Sequence, residues 1–327
     1  MATSSTSPTA PRKLILDLDT GIDDTLALVY TLASPEVELI GITATFGNVH
    51  LETGMRNDLA ILDLFGRPDV PVFPGLPHAS AAADFEVSKT TEFIHGRNGI
   101  GEVAIPDSTR SPESTGAVDF LIDAAHTYGK DLVYVPTGPL TNIATAIAKD
   151  PSVAQAIGQI TMMGGALTQP GNVTPGAEAN ISQDPEAANA FFHTSAPITM
   201  IGLDVTHRTL LTHAQTAKWR ALSTARGTFL ADMTDYYINA YAVNAPQLGG
   251  CGLHDPLAAA AAIDPTLVTT IDLNMQVDLD GPFRGRTIGD PTRINEPSGT
   301  TKVAVDVDRE RFVNRLMERI SSVAAGD

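Results

Sequence analysis

The chain has one cysteine, Cys251, and one tryptophan, Trp219. A single thiol excludes an intrachain disulfide framework and any cysteine-rich zinc site. Basic residues are scarce, 21 Lys and Arg against 38 Asp and Glu, for a formal net charge of −17. A nucleic-acid backbone requires clustered cations, so no nucleic-acid partner is expected, and the same charge counts against an anionic membrane surface. No apolar run approaches the ~20 residues of a membrane span. The opening MATSSTSPTAPR lacks the apolar centre of a signal peptide. Residues 1–12 therefore read as a disordered tail, and the cytoplasm as the expected location.

What is present is a large apolar fraction, 43%, with only 18% charged residues. That composition supports an extensive core and argues against bulk disorder. Short apolar runs alternate with helical patterns. KLILDLD (13–19), ELIGITATFG (38–47), VPVFPG (70–75), DLVYVPTG, QITMMGG and ITMIGLDVT read as strands. Between them lie helical stretches at 23–34, 57–66, AVDFLIDAAHTY, PLTNIATAIAKD and DPEAANAFFH. TFLADMTDYYINAYAV and HDPLAAAAAIDP are further helices, and strand-like 268–278 and 302–307 precede a terminal helix over 308–323. Such alternation predicts one α/β domain over 13–327, an open, mostly parallel, Rossmann-like sheet with flanking helices.

In such sheets ligands bind beyond the carboxyl ends of the strands. The first strand runs into LILDLDTGIDD (14–24), with Asp17, Asp19, Asp23 and Asp24 in eight positions. Later strands are followed by Asn48 and His50, by Thr137 and Gly138, by Gly164 and Gly165, and by Asp204, Thr206 and His207. Alone, Asp23 and Asp24 would merely favour a helix N-terminus through its dipole. Asp17 and Asp19 lie two apart, on the same side of the strand. Two carboxylate pairs together call for a compensating cation, and oxygen-only ligands suit Ca²⁺ or Mg²⁺. Asp184 and Asp255, each followed by Pro, match helix N-caps with Pro at the first helical position. For Asp255 the preceding GGCGLH also leaves a site role open, together with His254. His126, His193 and His213 read as surface or structural histidines. GNVTPGAEANIS (171–182) reads as a polar loop, and Tyr237 and Tyr241, one helical turn apart, pack in the core by default.

LDLDTG imitates the opening motif of haloacid-dehalogenase-type phosphatases, but that pattern needs a later Lys and a second acidic pair, and Asp204-Val205-Thr206 supplies one acid. A longer match is carried by D-x-D-x-G-x-D-D, TFGN, PTGPLTN, MMGG…GN…AE-x-N…DPEAA and HDPLA, in that order from residue 13 to at least 265. This set resembles the inosine–uridine-preferring nucleoside hydrolases. One departure is Thr20, where members usually have Pro, a change expected to affect turn rigidity without removing a ligand.

The resemblance implies a homodimer or homotetramer with one tightly held Ca²⁺, and hydrolysis of ribonucleosides of the uridine or inosine type to base and ribose. It makes Asp19 a ligand and the general base, Asp24 and Asp255 ligands, Thr137 a ligand through its carbonyl, and Asp17 a supporting acid. Asp23 and Asn48 would hold ribose hydroxyls, and Asn172, Glu178 and Asn180 would grip the 3′ and 5′ side with Met163 beneath. His95 and His254 would stand near the nucleobase, with His254 as the acid for the leaving group. Tyr237 and Tyr241 are expected to border the base pocket. Trp219 lies outside these motifs, so tryptophan stacking of the base is not expected. A Ca²⁺-stabilised ribose-binding module without turnover is the non-catalytic alternative.

Overall fold

Asp17 sits on a strand in which every residue from Leu14 onward is almost completely buried. The computed structural model describes residues 10–296 and 301–326. The strands are β1 (Arg12–Leu18), β2 (Val37–Ala44), β3 (Val72–Phe73), β4 (Leu132–Pro136), β5 (Gln159–Met163) and β6 (Ile198–Ile201). They continue with β7 (Leu210–Leu211), β8 (Cys251–Gly252), β9 (Val268–Leu273), β10 (Met275–Val277), β11 (Thr287–Gly289) and β12 (Thr301–Val307). Eight form one sheet in the order β3-β2-β1-β4-β5-β6-β12-β9, parallel except for β9, which runs antiparallel to β12. The pairs β7–β8 and β10–β11 are small antiparallel ribbons.

Strand alternation divides the core. Leu14, Leu16 and Leu18 pack with helices Ile22–Leu32, His254–Ile263 and Arg309–Ala324, whereas Ile15 packs with helices Ala117–Tyr128, Thr141–Lys149 and Pro185–Phe192. Period-two geometry puts Asp17 on the Ile15 side. The result is a single α/β domain with a large, mostly parallel sheet and flanking helices. Because β1 lies between β2 and β4, the crossovers leave it in opposite directions, and the crevice this opens is at its carboxyl end.

Several local expectations shift. Arg12 already belongs to β1, and residues 1–9 of the expected tail lie outside the described residues. The helix expected at 57–66 is Leu51–Leu64, one turn and a half longer at its start despite Gly54. The run 268–278 breaks at Asn274, whose carbonyl accepts a hydrogen bond from Asp290 N at 2.7 Å, so β10 joins β11 instead of the main sheet. Strand β6 stops at Ile201, and LDVT forms a short helix. The end of the loop expected at 171–182 is helical instead, Ala179–Gln183, capped by the Glu178 carboxylate. Asp184 caps the Pro185–Phe192 helix as expected. Asp255 does not cap: its helix begins at His254, placing Asp255 in the first turn with its carboxylate free for other work.

Among the described residues, no helix is long and apolar enough to cross a membrane.

Candidate active site

The acidic turn is held from three directions. Asp17 Oδ2 accepts from Thr43 Oγ1 at 2.6 Å and from Asn142 Nδ2 at 2.8 Å. Burial pushes its carboxyl up to about 6, against the pull of those two donors. Asp19 Oδ2 accepts from the Asn48 backbone N–H at 2.6 Å, and the Asn48 amide bridges Asp19 Oδ1 (3.1 Å) and Asp24 Oδ2 (3.0 Å). Asp24 also accepts from Gly21 N at 2.8 Å and from Thr137 Oγ1 at 2.7 Å. The resemblance gave Asn48 to the ribose; here its side chain spans the two acids.

Asp23, Asp24 and Asp255 each present an oxygen within 4.8 Å of the others. All three are buried, and Asp23 Oδ1 has no hydrogen-bond partner. Burial raises every carboxyl of the cluster, Asp24 against the pull of its donors, and repulsion adds to it at the other three: Asp23 rises to about 7, and Asp19 and Asp255 well above the usual range. Acids crowded in this way, with oxygen donors only, fit a hard divalent cation.

Glu178 and Asn180 shape the adjoining wall. The Glu178 carboxylate accepts from Gly165 N (2.8 Å), Asn180 N (3.0 Å) and Ile181 N (3.2 Å). Burial raises its pKa, opposed by these backbone donors. Asn180 Nδ2 donates to the Thr137 carbonyl at 2.6 Å and touches Met163 Sδ at 3.2 Å. Asn172 Oδ1, on the loop above, accepts from Ala179 N at 3.0 Å.

The opposite wall is aromatic and imidazole. His254 has both ring nitrogens engaged, Nδ1 with Thr206 Oγ1 at 2.8 Å and Nε2 with the Tyr241 hydroxyl at 2.7 Å. The Tyr237 and Tyr241 hydroxyls are 3.5 Å apart. Burial holds His254 well below the usual imidazole range, so the ring is neutral at pH 7. His95 Nδ1 accepts from Ile22 N at 3.2 Å, and burial lowers its pKa to about 3. Its proton therefore resides on Nε2.

These walls enclose a cavity of about 640 Å³. Of the residues that the resemblance assigned to the cation, the sugar or the base, all line it except Asp19 and Asp24, which lie fully buried beside it. Asp17 stands behind, as expected. Asp204 does not reach the cavity: it holds Leu167 N and Thr168 N. His126 and His213 pair with the partly exposed Asp150 and Asp235, His193 pairs with the buried Asp290, and Trp219 is buried outside the cavity lining. Sequence reasoning missed Phe85, whose ring lies tilted beside Phe46 at 4.9 Å between centroids, as well as Gln183 and Leu248, all of which line the cavity. Phe85 lies in an alanine-rich polar run without periodicity, and Leu248 follows a helix end, so neither carries a local signal. Gln183 had one available, since it directly precedes the capping Asp184. No described Lys or Arg lines the cavity.

The family model for inosine-uridine preferring nucleoside hydrolases matches residues 14–314. The probable uridine nucleosidase 2 of Arabidopsis thaliana is 36% identical over 316 residues, covering 94% of this chain and 97% of that protein. The pyrimidine-specific ribonucleoside hydrolase RihA of an Enterobacter strain is 35% identical over 309 residues, covering 94% and 97%. Among solved structures, a purine-preferring ribonucleoside hydrolase from Gardnerella vaginalis superposes with a TM-score of 0.95 at 63% identity, covering 96% of this chain and 99% of that one. Ordered motifs, sheet and acid-floored cavity agree with these matches, and the chain belongs to the inosine-uridine preferring nucleoside hydrolases, a family of N-glycosyl hydrolases.

Proposed function

We propose that this protein cleaves the N-glycosidic bond of ribonucleosides with the aid of a divalent cation, Ca²⁺ by preference, and favours purine ribonucleosides. The observation that carries the reading is the buried carboxylate cluster under a cavity with no cationic side chain. A phosphate ester would meet Glu178, Glu86, Asp23 and Asp255 there without one compensating Lys or Arg, which argues against nucleotides and against a phosphatase.

Asp24, Asp255, Asp19 and the Thr137 carbonyl are the proposed holders of the cation. When bound, it would polarise a water and grip the ribose diol. Asp19, fixed by two Asn48 donors, accepts the proton of the attacking water. Positive charge develops on the ribosyl ring as the bond breaks, and the nearby carboxylates stabilise it. Asp23, with Oδ1 unpartnered, is placed to accept from a ribose hydroxyl, and Glu178, Asn180 and Asn172 to hold the rest of the sugar over Met163. The departing base needs a proton. The Tyr241 hydroxyl, hydrogen-bonded to the neutral His254 ring, donates its proton to the departing base and is reprotonated from solvent once the base has left. His95 offers Nε2–H toward the same end of the cavity.

Purine preference rests on the likeness to the Gardnerella enzyme and on this tyrosine–histidine pair, since a neutral purine leaves poorly as an anion. The pyrimidine-specific relatives stand at lower identity, and they motivate the second reading, a pyrimidine preference. A homo-oligomer is part of the proposal and is checked by light scattering.

The test is release of reducing sugar from inosine, adenosine, uridine and cytidine, with and without chelator. Expected are faster turnover of the purines, loss of activity on chelation, and recovery with Ca²⁺. Asp19→Ala should retain nucleoside binding and lose turnover. Binding without ribose release from any of the four would establish the non-catalytic alternative and sink the hydrolase reading.

A further inference from the structure

Behind the acidic turn lies a second buried acid that the mechanism does not use. Thr20, between Asp19 and Gly21, is completely buried, and its hydroxyl donates to Asp58 Oδ1 at 2.6 Å. Asp58 is itself completely buried on the Leu51–Leu64 helix, which follows the loop carrying Asn48. Its Oδ2 has no hydrogen-bond partner. Burying a carboxyl without a second partner is costly, and an apolar residue would fill the same space more cheaply. Thr20 is the one side chain among the described residues that bonds to it.

The surroundings hold Thr20 tightly. A Cβ placed on Gly99 would meet the Thr20 carbonyl at 2.9 Å, and Gly54 approaches the Thr20 amide from the helix. The neighbouring Asn57 side chain fixes the Asn98 carbonyl at 2.7 Å, so one helical turn clamps both the acidic turn and the 98–101 segment. On the cavity side, the same acidic turn is held through Asp19, Asp24 and the Ile22 N–H, which donates to His95 Nδ1 at 3.2 Å. The hydroxyl bond therefore stands where a rigid proline would otherwise set the backbone of this turn.

We propose that Asp58 is a positioning residue, acting through Thr20 to set the backbone between Asp19 and Asp24 and hence the spacing of the cation-holding carboxylates. This rests on the reading that those carboxylates bind a divalent cation. Burial, and then the charges of Asp24 and Asp17, hold the Asp58 carboxyl well above the usual range.

The test is calcium titration by calorimetry on the metal-stripped full-length protein, with kcat and KM for inosine and the metal-free melting temperature measured alongside. Thr20→Val and Asp58→Leu should each weaken Ca²⁺ binding about tenfold, in the range for residues that orient metal ligands, and lower kcat more than KM. The double variant should be no worse than either single variant, because both remove the same bond. Asp58→Asn, which keeps the acceptor oxygen, should stay near wild type. Thr20→Pro placed in Asp58→Leu should recover Ca²⁺ affinity, because the ring restrains the backbone directly.

Unchanged Ca²⁺ affinity in both single variants, whatever the melting temperature does, overturns the proposal. Additive losses in the double variant do so too, as does an Asp58→Asn as impaired as Asp58→Leu. A wild type that binds Ca²⁺ but releases no ribose would defeat the hydrolase reading and leave this titration valid. A wild type that binds no divalent cation would remove the premise and the proposal together.

Discussion

The Tyr241 hydroxyl lies 2.7 Å from His254 Nε2, and Thr206 Oγ1 lies 2.8 Å from the opposite ring nitrogen. The imidazole is thus a link in a hydroxyl–imidazole–hydroxyl chain, and Tyr241 is the member facing a leaving base. Tyr241→Phe should lower kcat for inosine about 10²-fold, the usual scale for a lost proton donor, with little change in KM. A p-nitrophenyl riboside, whose leaving group departs as the stable nitrophenolate anion, should be almost unaffected. An equal loss on both substrates would show that Tyr241 positions the base and does not supply its proton.

Gly47 leaves no room beside the proposed base. Its φ is +154°, and a Cβ there would lie 2.1 Å from Asp19 Oδ2. Gly47→Ala must displace that carboxylate, and displacement of about 1 Å can cost about 10²-fold in rate. The expected variant folds, by circular dichroism, but releases ribose at least that much more slowly. Activity close to wild type would mean that the Asp19 position is not critical.

Asn142 is fully committed. It donates to Asp17 Oδ2 (2.8 Å) and the Ala44 carbonyl (3.1 Å) and accepts from Leu76 N (3.0 Å). Asn142→Ala strips a buried acid of one of its donors, and urea unfolding should report a loss of about 2–3 kcal/mol. A loss under half of that would indicate that water replaces the amide.

Chelation should introduce a fall of stability with rising pH. Asp17 and Asp23 have folded pKa values raised to about 6 and about 7, above the unfolded range. The folded, metal-free protein therefore holds more protons than the unfolded chain, and that stabilisation is lost as pH rises through 6 to 7. His95 and His254 shift the other way, and their destabilising effect acts only below the unfolded imidazole value of about 6.5. Between pH 6.5 and 8 the carboxyls decide. The melting temperature of the chelated protein should fall across that interval, while that of the Ca²⁺-saturated protein stays level, because cation binding expels the same protons. Parallel curves would argue against a cation at this cluster.

Local chemistry was legible and tertiary pairing was not. LILDLDTGIDD announces a buried strand ending in acids, because alternation and apolar content are properties of adjacent residues. The ordered motifs likewise pointed to Glu178, Asn180 and Asp255. Nothing near Thr206 or Asp58 marks either as a partner, since each bonds across 48 and 38 positions of chain respectively. The short 179–183 helix escaped because a glutamate side chain caps it and its glycine-bearing approach reads as loop. Asp255 looked like an N-cap because Asp-Pro usually is one; the tightly packed Leu253 takes that place instead.

The floor of the cavity joins an early turn of the chain to the start of the His254–Ile263 helix, which packs against the Ile22–Leu32 helix. During synthesis the first four aspartates emerge long before Asp255 exists, and domains fold as units as they are completed. A nascent or truncated chain ending before residue 254 has the repelling acids without the helix that closes around them. Under the proposed function, cation capture would mark chain completion, and calcium-dependent protection from protease should appear only in products that extend past that helix.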